Sequence, residues 1–201
     1  MSQPQWPSPS LPPREPSFRM SSRRLGVYVL FGSLGVLFIA TLVGYFVTRA
    51  DSANWRAATT PAPPTGLWLS TLLALAISLS LESARRAARK NQLAVLPSRL
   101  RLGIGAAVAF LGAQAVNWYS LHEVAFGNDR PAHVVVGFYL LTGLHAAHVL
   151  GGIVPLGIVL NGAVAREYSS SRHEGVSLCA DYWHFLSVVW LVLFATLELF
   201  G

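Results

Sequence analysis

Five long apolar runs, separated by short polar or proline-rich segments, set the pattern of the chain. Residues 25–48 hold 24 positions without a charge, and residues 66–81 are likewise uncharged. Residues 102–121 give 20 more and end near Trp118 and Tyr119; residues 132–165 make a 34-residue stretch, and residues 176–200 the last. Crossing about 30 Å of hydrocarbon takes about 20 helical residues. Each run therefore predicts one spanning helix, over about 25–48, 66–84, 102–121, 132–165 and 176–200. The fourth run is too short for two crossings and a turn. It predicts one long helix, tilted or reaching past the bilayer, with a bend expected at Pro155. The fold class expected is an all-α integral membrane bundle of five transmembrane helices over residues 23–201, behind a disordered cytoplasmic tail of residues 1–22 rich in Pro, Ser and Arg. The first run exceeds the about 7–15 apolar residues of a cleavable signal segment, so it is expected to remain as a helix. No internal repeat is visible.

Composition strengthens this reading. Of 201 residues, 53% are hydrophobic and 12% charged, whereas soluble domains carry about 25% charged residues. A lipid-facing surface cannot tolerate the charge that a water-facing one needs. The net charge of +6 does not predict nucleic-acid binding, because the basic residues cluster at the ends of apolar runs and form no face of their own. Their distribution sets orientation instead. The tail, the second connection and the fourth connection hold twelve of the 15 Lys and Arg, including Arg23, Arg24, Arg85, Arg86, Arg89 and Lys90, and the opposite side holds three. The positive-inside rule then places the N-terminus in the cytoplasm and the C-terminus outside. The cluster from Arg85 to Lys90 is expected to face anionic headgroups, with Glu82 at the cytoplasmic boundary. A lone cysteine, Cys179, excludes an intramolecular disulfide and any multi-cysteine metal site.

Polar groups inside the runs carry the candidate chemistry, since ionisable residues at membrane depth are costly. His145 and His148 lie three residues apart on one helical face, one turn after Thr142. Beside them Gly143, Ala147 and Gly151 repeat at four-residue spacing, a small-residue stripe that lets another helix approach closely. The last run carries Asp181 and His184 at three-residue spacing, within Asp181-Tyr182-Trp183-His184-Phe185. Two histidines one turn apart serve either as metal or haem ligands or as hydrogen-bonding groups between helices and lipid headgroups. Asp181 and His184 either relay protons or satisfy one another. Both choices stay open on local pattern alone. Asn117, Trp118 and Tyr119 close the third run as part of an interfacial aromatic belt, followed by His122 and Glu123. No Gly-rich phosphate loop, nucleophile–base pair or complete metal-ligand set is visible.

The two polar runs also carry a family resemblance. Phe138-Tyr139-Leu140-Leu141-Thr142-Gly143-Leu144-His145-Ala146-Ala147-His148-Val149, followed by Gly151, resembles a helix of subunit III of haem-copper terminal oxidases. Tyr182-Trp183-His184-Phe185, followed by Val188-Val189-Trp190 and Phe194, is similar to that family's last helix, and His173, Gly175, Gln114 and Trp118 fall where the family would put them. The first run fits more loosely, through Leu25-Gly26 and Ser33. The resemblance runs in order over residues 25–201 and matches the short bacterial form. It implies a non-catalytic subunit of a bacterial inner (plasma) membrane oxidase, packed on catalytic subunit I beside other oxidase subunits. It implies no haem or copper in this chain, those belonging to the catalytic partner. It further implies a V-shaped cleft of two plus three helices filled by phospholipid, and support of proton uptake and of resistance to turnover inactivation. Thr142, His145, His148, Tyr182, Trp183 and His184 would then be helix-packing and lipid-cleft positions.

The departures are specific. Four carboxylates usual in the family are replaced here by Leu34, Asn117, Ser177 and Ser187. Their loss weakens any proton-linked role and raises a second reading, a subunit-III-like accessory of nitric oxide reductase or another respiratory complex. A third reading is an independent membrane haem or metal protein using His145 and His148.

Overall fold

A computed structural model describes residues 22–51, 65–126 and 132–200; the expected tail falls outside them, apart from its last residue. The described residues form five helices: α1 (Ser22–Asp51), α2 (Gly66–Arg89), α3 (Leu96–Phe126), α4 (Ala132–Val164) and α5 (Glu174–Phe200). Each is long and apolar enough to cross a membrane. The helices outrun the apolar runs that predict them. α2 continues through Arg85 and Arg86, and α3 takes in Arg99, Arg101 and His122, because long basic side chains can lay apolar stems along a helix and hold their charges at its end.

Two helix ends show why the connections turn where they do. Gln92 N–H donates to Ala87 O (2.8 Å) and Asn91 N–H to Ala88 O (3.1 Å), with Asn91 left-handed at φ 56°. This is a Schellman closure built on Asn, one of the residues that tolerates that backbone region. The end of α4 repeats it: Glu167 N–H reaches Gly162 O (3.0 Å) and Arg166 N–H reaches Ala163 O (3.2 Å), but here the left-handed position is Arg166, at φ 57°. α4 runs unbroken through Pro155. In the following connection Tyr168 packs over Gly162 and Gly175. Burial first, then Cys179 and Glu167, push its phenol above the usual range.

α2, α3, α4 and α5 close into a ring in which each helix packs on two others of the ring, while α1, among the described residues, packs only on α4 and α5. Ring partners run antiparallel, and α1 lies parallel to α5: Arg24 meets Glu174 (3.0 Å) and Phe31 stacks on Phe185 (5.3 Å, 3°). The starts of α1, α3 and α5 therefore share one end with the finishes of α2 and α4. The core is centred on Trp183, Trp190, Phe110, Leu141, Leu156 and Leu186. This arrangement replaces the two-plus-three cleft implied by the resemblance. The physical reason is that four helices already satisfy one another, leaving α1 as a lone outer helix. Among the described residues a groove of about 460 Å³ opens between α1 and α4, walled by Ala40, Thr41, Gly44, Tyr45, Gly137 and Leu140.

Candidate functional site

The polar residues of α4 fall on three different surroundings. Thr142 is fully buried; its hydroxyl donates to Phe138 O (2.7 Å) and accepts from Trp118 Nε1 (3.0 Å). Tyr139 donates to Trp118 O (2.8 Å), so α3 and α4 are joined twice within one turn. His145, one turn on, is 2% exposed and sits among rings: Trp190 at 5.2 Å, Phe110 at 5.6 Å and Phe38 at 6.2 Å. A cavity of about 10 Å³ adjoins it, lined also by Trp183 and Ser187. His148 turns toward α1, with Phe38 at 5.2 Å and its Nδ1 at 2.7 Å from Leu144 O. The two imidazoles thus flank Phe38, and one of His148's ring nitrogens is engaged by its own helix.

The small-residue stripe meets little of this chain itself. Only Gly143 has a neighbour from another helix at the position a Cβ would take, Trp118 Cζ2 at 4.0 Å, and Gly151 has nothing within 4 Å; Ala147 is exposed. Within this chain the close approach belongs to Gly152. A Cβ there would stand 2.6 Å from Tyr182 Cε1 and 3.2 Å from Trp183 Cζ2. One residue of offset is about 100° of helix rotation, which is why the four-residue spacing of the stripe did not reveal the side that α5 uses. Gly137 plays the same part toward α1, with a Cβ position 2.9 Å from Tyr45 Cδ2.

α5 divides its signature between α4, the core and α2. Tyr182 donates to His148 O on α4 (2.9 Å), and Trp183 is 1% exposed in the core. Trp190 donates from Nε1 to Thr71 Oγ1 on α2 (3.0 Å), and Ser187 donates to Ala74 O (3.1 Å). Asp181 and His184 do not pair with each other. Their three-residue spacing turns both toward α2, where Asp181 accepts from Arg85 Nη1 (2.9 Å) and His184 hydrogen-bonds through Nδ1 to Ser78. His184 Nε2 also lies 3.5 Å from Glu82, and Glu82 bridges Arg85 and Arg86 (2.9 Å). Glu82 is therefore the hub of an ion network, and not an isolated boundary charge. The signal for it was present: Ser78, Glu82, Arg85 and Arg86 lie at helical three- and four-residue spacings. What the sequence did not show was that α5 faces them.

Three of the positions where the family's carboxylates are replaced open onto the interior: Leu34, Asn117 and Ser187 are 8%, 3% and 7% exposed. Asn117 donates to Gln114 Oε1 (3.3 Å) and to Ser70 Oγ (3.4 Å). Ser177 is buried as well.

Known proteins bear on these features together. The family model for "Cytochrome c oxidase subunit III" matches residues 20–201. "Cytochrome c oxidase subunit 3" of Thermostichus vulcanus is 26% identical over 187 residues, covering 90% of this chain and 87% of that one. The protein of the same name from Synechocystis sp. is 27% identical, covering 86% of this chain and 73% of its own. "Probable cytochrome c oxidase subunit 3" of Nocardia farcinica is also 27% identical, covering 86% and 85%. Five spanning helices, a last helix whose aromatic and histidine side chains tie it to α2 and α4, and a match over nearly the whole length lead to one assignment: the chain is an integral membrane protein of the cytochrome c oxidase subunit III family.

Proposed function

We propose that the chain is the non-catalytic subunit III of a bacterial haem-copper oxygen reductase. In this reading it lies in the plasma membrane with its N-terminus in the cytoplasm. It packs against catalytic subunit I, and that partner holds the haem and copper. The observation that carries the reading is how the signature side chains are used. Thr142, His148, Tyr182 and His184 make their hydrogen bonds along or between helices of this chain, which suits a supporting subunit whose polar groups fix helix positions. The relatives' names favour an oxygen reductase over a nitric oxide reductase. The orientation rests on the shared end at which Arg24, Arg89, Lys90, Arg99 and Arg172 gather. Phospholipid is proposed to fill the groove between α1 and α4 with an acyl chain, since its walls are apolar or carry small hydroxyls.

The test is purification of the tagged chain in mild detergent. A haem- and copper-containing oxygen reductase should copurify, and the separated chain should show no Soret band of its own. Complex lacking the chain should begin turnover near the normal rate and then lose activity faster. Stoichiometric haem or copper in the isolated chain, or copurification with a nitric oxide reductase, would overturn the reading.

A further inference from the structure

His145 is buried without the hydrogen bonds that its neighbours on α4 make. Thr142 and His148 each bond to a carbonyl of their own helix. Nδ1 of His145, by contrast, is buried and has no hydrogen-bond partner among the described residues. Its surroundings are the rings of Phe38, Phe110 and Trp190. A neutral imidazole carries one donor and one acceptor, and hydrocarbon offers no bulk water to satisfy them. An unpaired polar group in such a place is costly. It can be satisfied where the site has room and a second polar group, and both are present. The cavity of about 10 Å³ that His145 lines matches the smallest space that takes one water, about 10 to 15 Å³. Ser187 lines the same cavity from α5. Its hydroxyl gives its one hydrogen to Ala74 O of α2 (3.1 Å), so its oxygen still accepts from a donor.

We propose that this cavity binds a single water molecule, which hydrogen-bonds the His145 imidazole and donates to Ser187 Oγ. The water ties α4 to α5, and the Ser187 bond to Ala74 O carries the link on to α2. His145 is then a positioning residue for three helices of the ring, whichever complex the chain serves. The size of the space and its lining specify the occupant. The rest of the lining is apolar, including Ile77, Phe110 and Leu186, and the volume is too small for a lipid chain or an organic ligand. A cation would find one imidazole and one hydroxyl there, with no carboxylate or thiolate in the lining. A ring N–H resting on the face of Trp190 or Phe110 is a weaker contact, and it leaves the second ring nitrogen without a donor.

The purified full chain, with the subunits that accompany it, tests this when imaged at a resolution that shows ordered water. One density peak should stand at about 2.7 to 3.2 Å from both a His145 ring nitrogen and Ser187 Oγ. Empty density, with the imidazole turned onto a ring face, would overturn the proposal. So would a peak at about 2.0 Å from the nitrogen, the distance of a bound metal. Unfolding of the full chain in mixed micelles is a second measure. Val149 also lines the cavity, and Val149→Ile adds one carbon there. With water bound, the larger side chain expels it and strands the imidazole, so the folded-to-unfolded ratio should fall about tenfold. A dry cavity would gain contacts on being filled, and a ratio that rises or stays level would count against the water. His145→Leu removes the group that needs the water, and on that background Val149→Ile should change the ratio by less than about twofold. Equal falls on both backgrounds would show overpacking alone and overturn the proposal.

Discussion

α1 and the four-helix ring are both membrane-spanning, but they are held by different means. Among its described residues α1 buries only Leu34, Phe38 and Tyr45. Its Ser33 and Thr41 hydroxyls donate to Val29 O and Leu37 O of its own helix. The ring is stitched by side-chain hydrogen bonds between helices, from Trp118 to Thr142, Trp190 to Thr71 and Ser187 to Ala74. The helix richest in exposed aliphatic side chains is thus the least integrated. In water the reverse would hold. In a bilayer, lipid tails are as apolar as leucine, so close packing and polar contacts decide which helices associate.

The largest expected effect comes from breaking the ring's charge network. Asp181→Leu leaves Arg85 with Glu82 alone, which Arg86 shares, and should cost about 3 kcal/mol, the low end for a buried pair because the network is part-open. Adding Arg85→Met should return most of that loss. Reversible unfolding in mixed micelles measures both, and equal destabilisation by the single and double variants would show that the pair does not hold α2 to α5. Next comes steric contrast on α4. Gly152→Leu drives a side chain into Tyr182 and Trp183 and should cost about 1 to 3 kcal/mol. Gly151→Leu enters open space and should leave unfolding of the isolated chain unchanged.

A finer comparison sets one hydrogen bond in the ring against one on α1. Trp190→Phe removes the bond to Thr71 and should cost about 1 kcal/mol, within the range for interhelical bonds in membranes. Thr41→Val removes only a bond back to Leu37 O and should have no measurable effect on unfolding. Equal costs would mean that α1 is bound as the ring helices are. The smallest effect is expected outside both regions. Arg166→Gly relieves a left-handed residue at φ 57° and should raise stability by about 0.5 kcal/mol, because glycine's entropy cost offsets part of the relief.

Much of the fold was legible because its causes are local. A run of apolar residues long enough to cross hydrocarbon must be helical to satisfy its own backbone, so five runs meant five helices wherever they packed. The last helix was legible as a family feature because Tyr182, Trp183 and His184 stand together in sequence. The candidate site was legible only in part. Asp181 and His184 were visible as a pair on one face, but their partners Arg85, Glu82 and Ser78 lie about 100 residues away. Local spacing left open whether the two relay protons or satisfy each other, and the neighbouring helix took both.

By itself, then, the sequence determined the number of spanning helices, their order and the family, since each depends on composition along a single segment. The tertiary structure alone decided that α1 stands outside a closed ring. It decided that Gly152, one position from the recognisable Gly143–Ala147–Gly151 stripe, makes the close approach to α5, and that the charged side chains of α2 and α5 converge between them. These features depend on which face each helix turns to which neighbour. Rotation about a helix axis changes no local pattern; it is fixed only when partners from distant segments compete for the same polar and steric contacts.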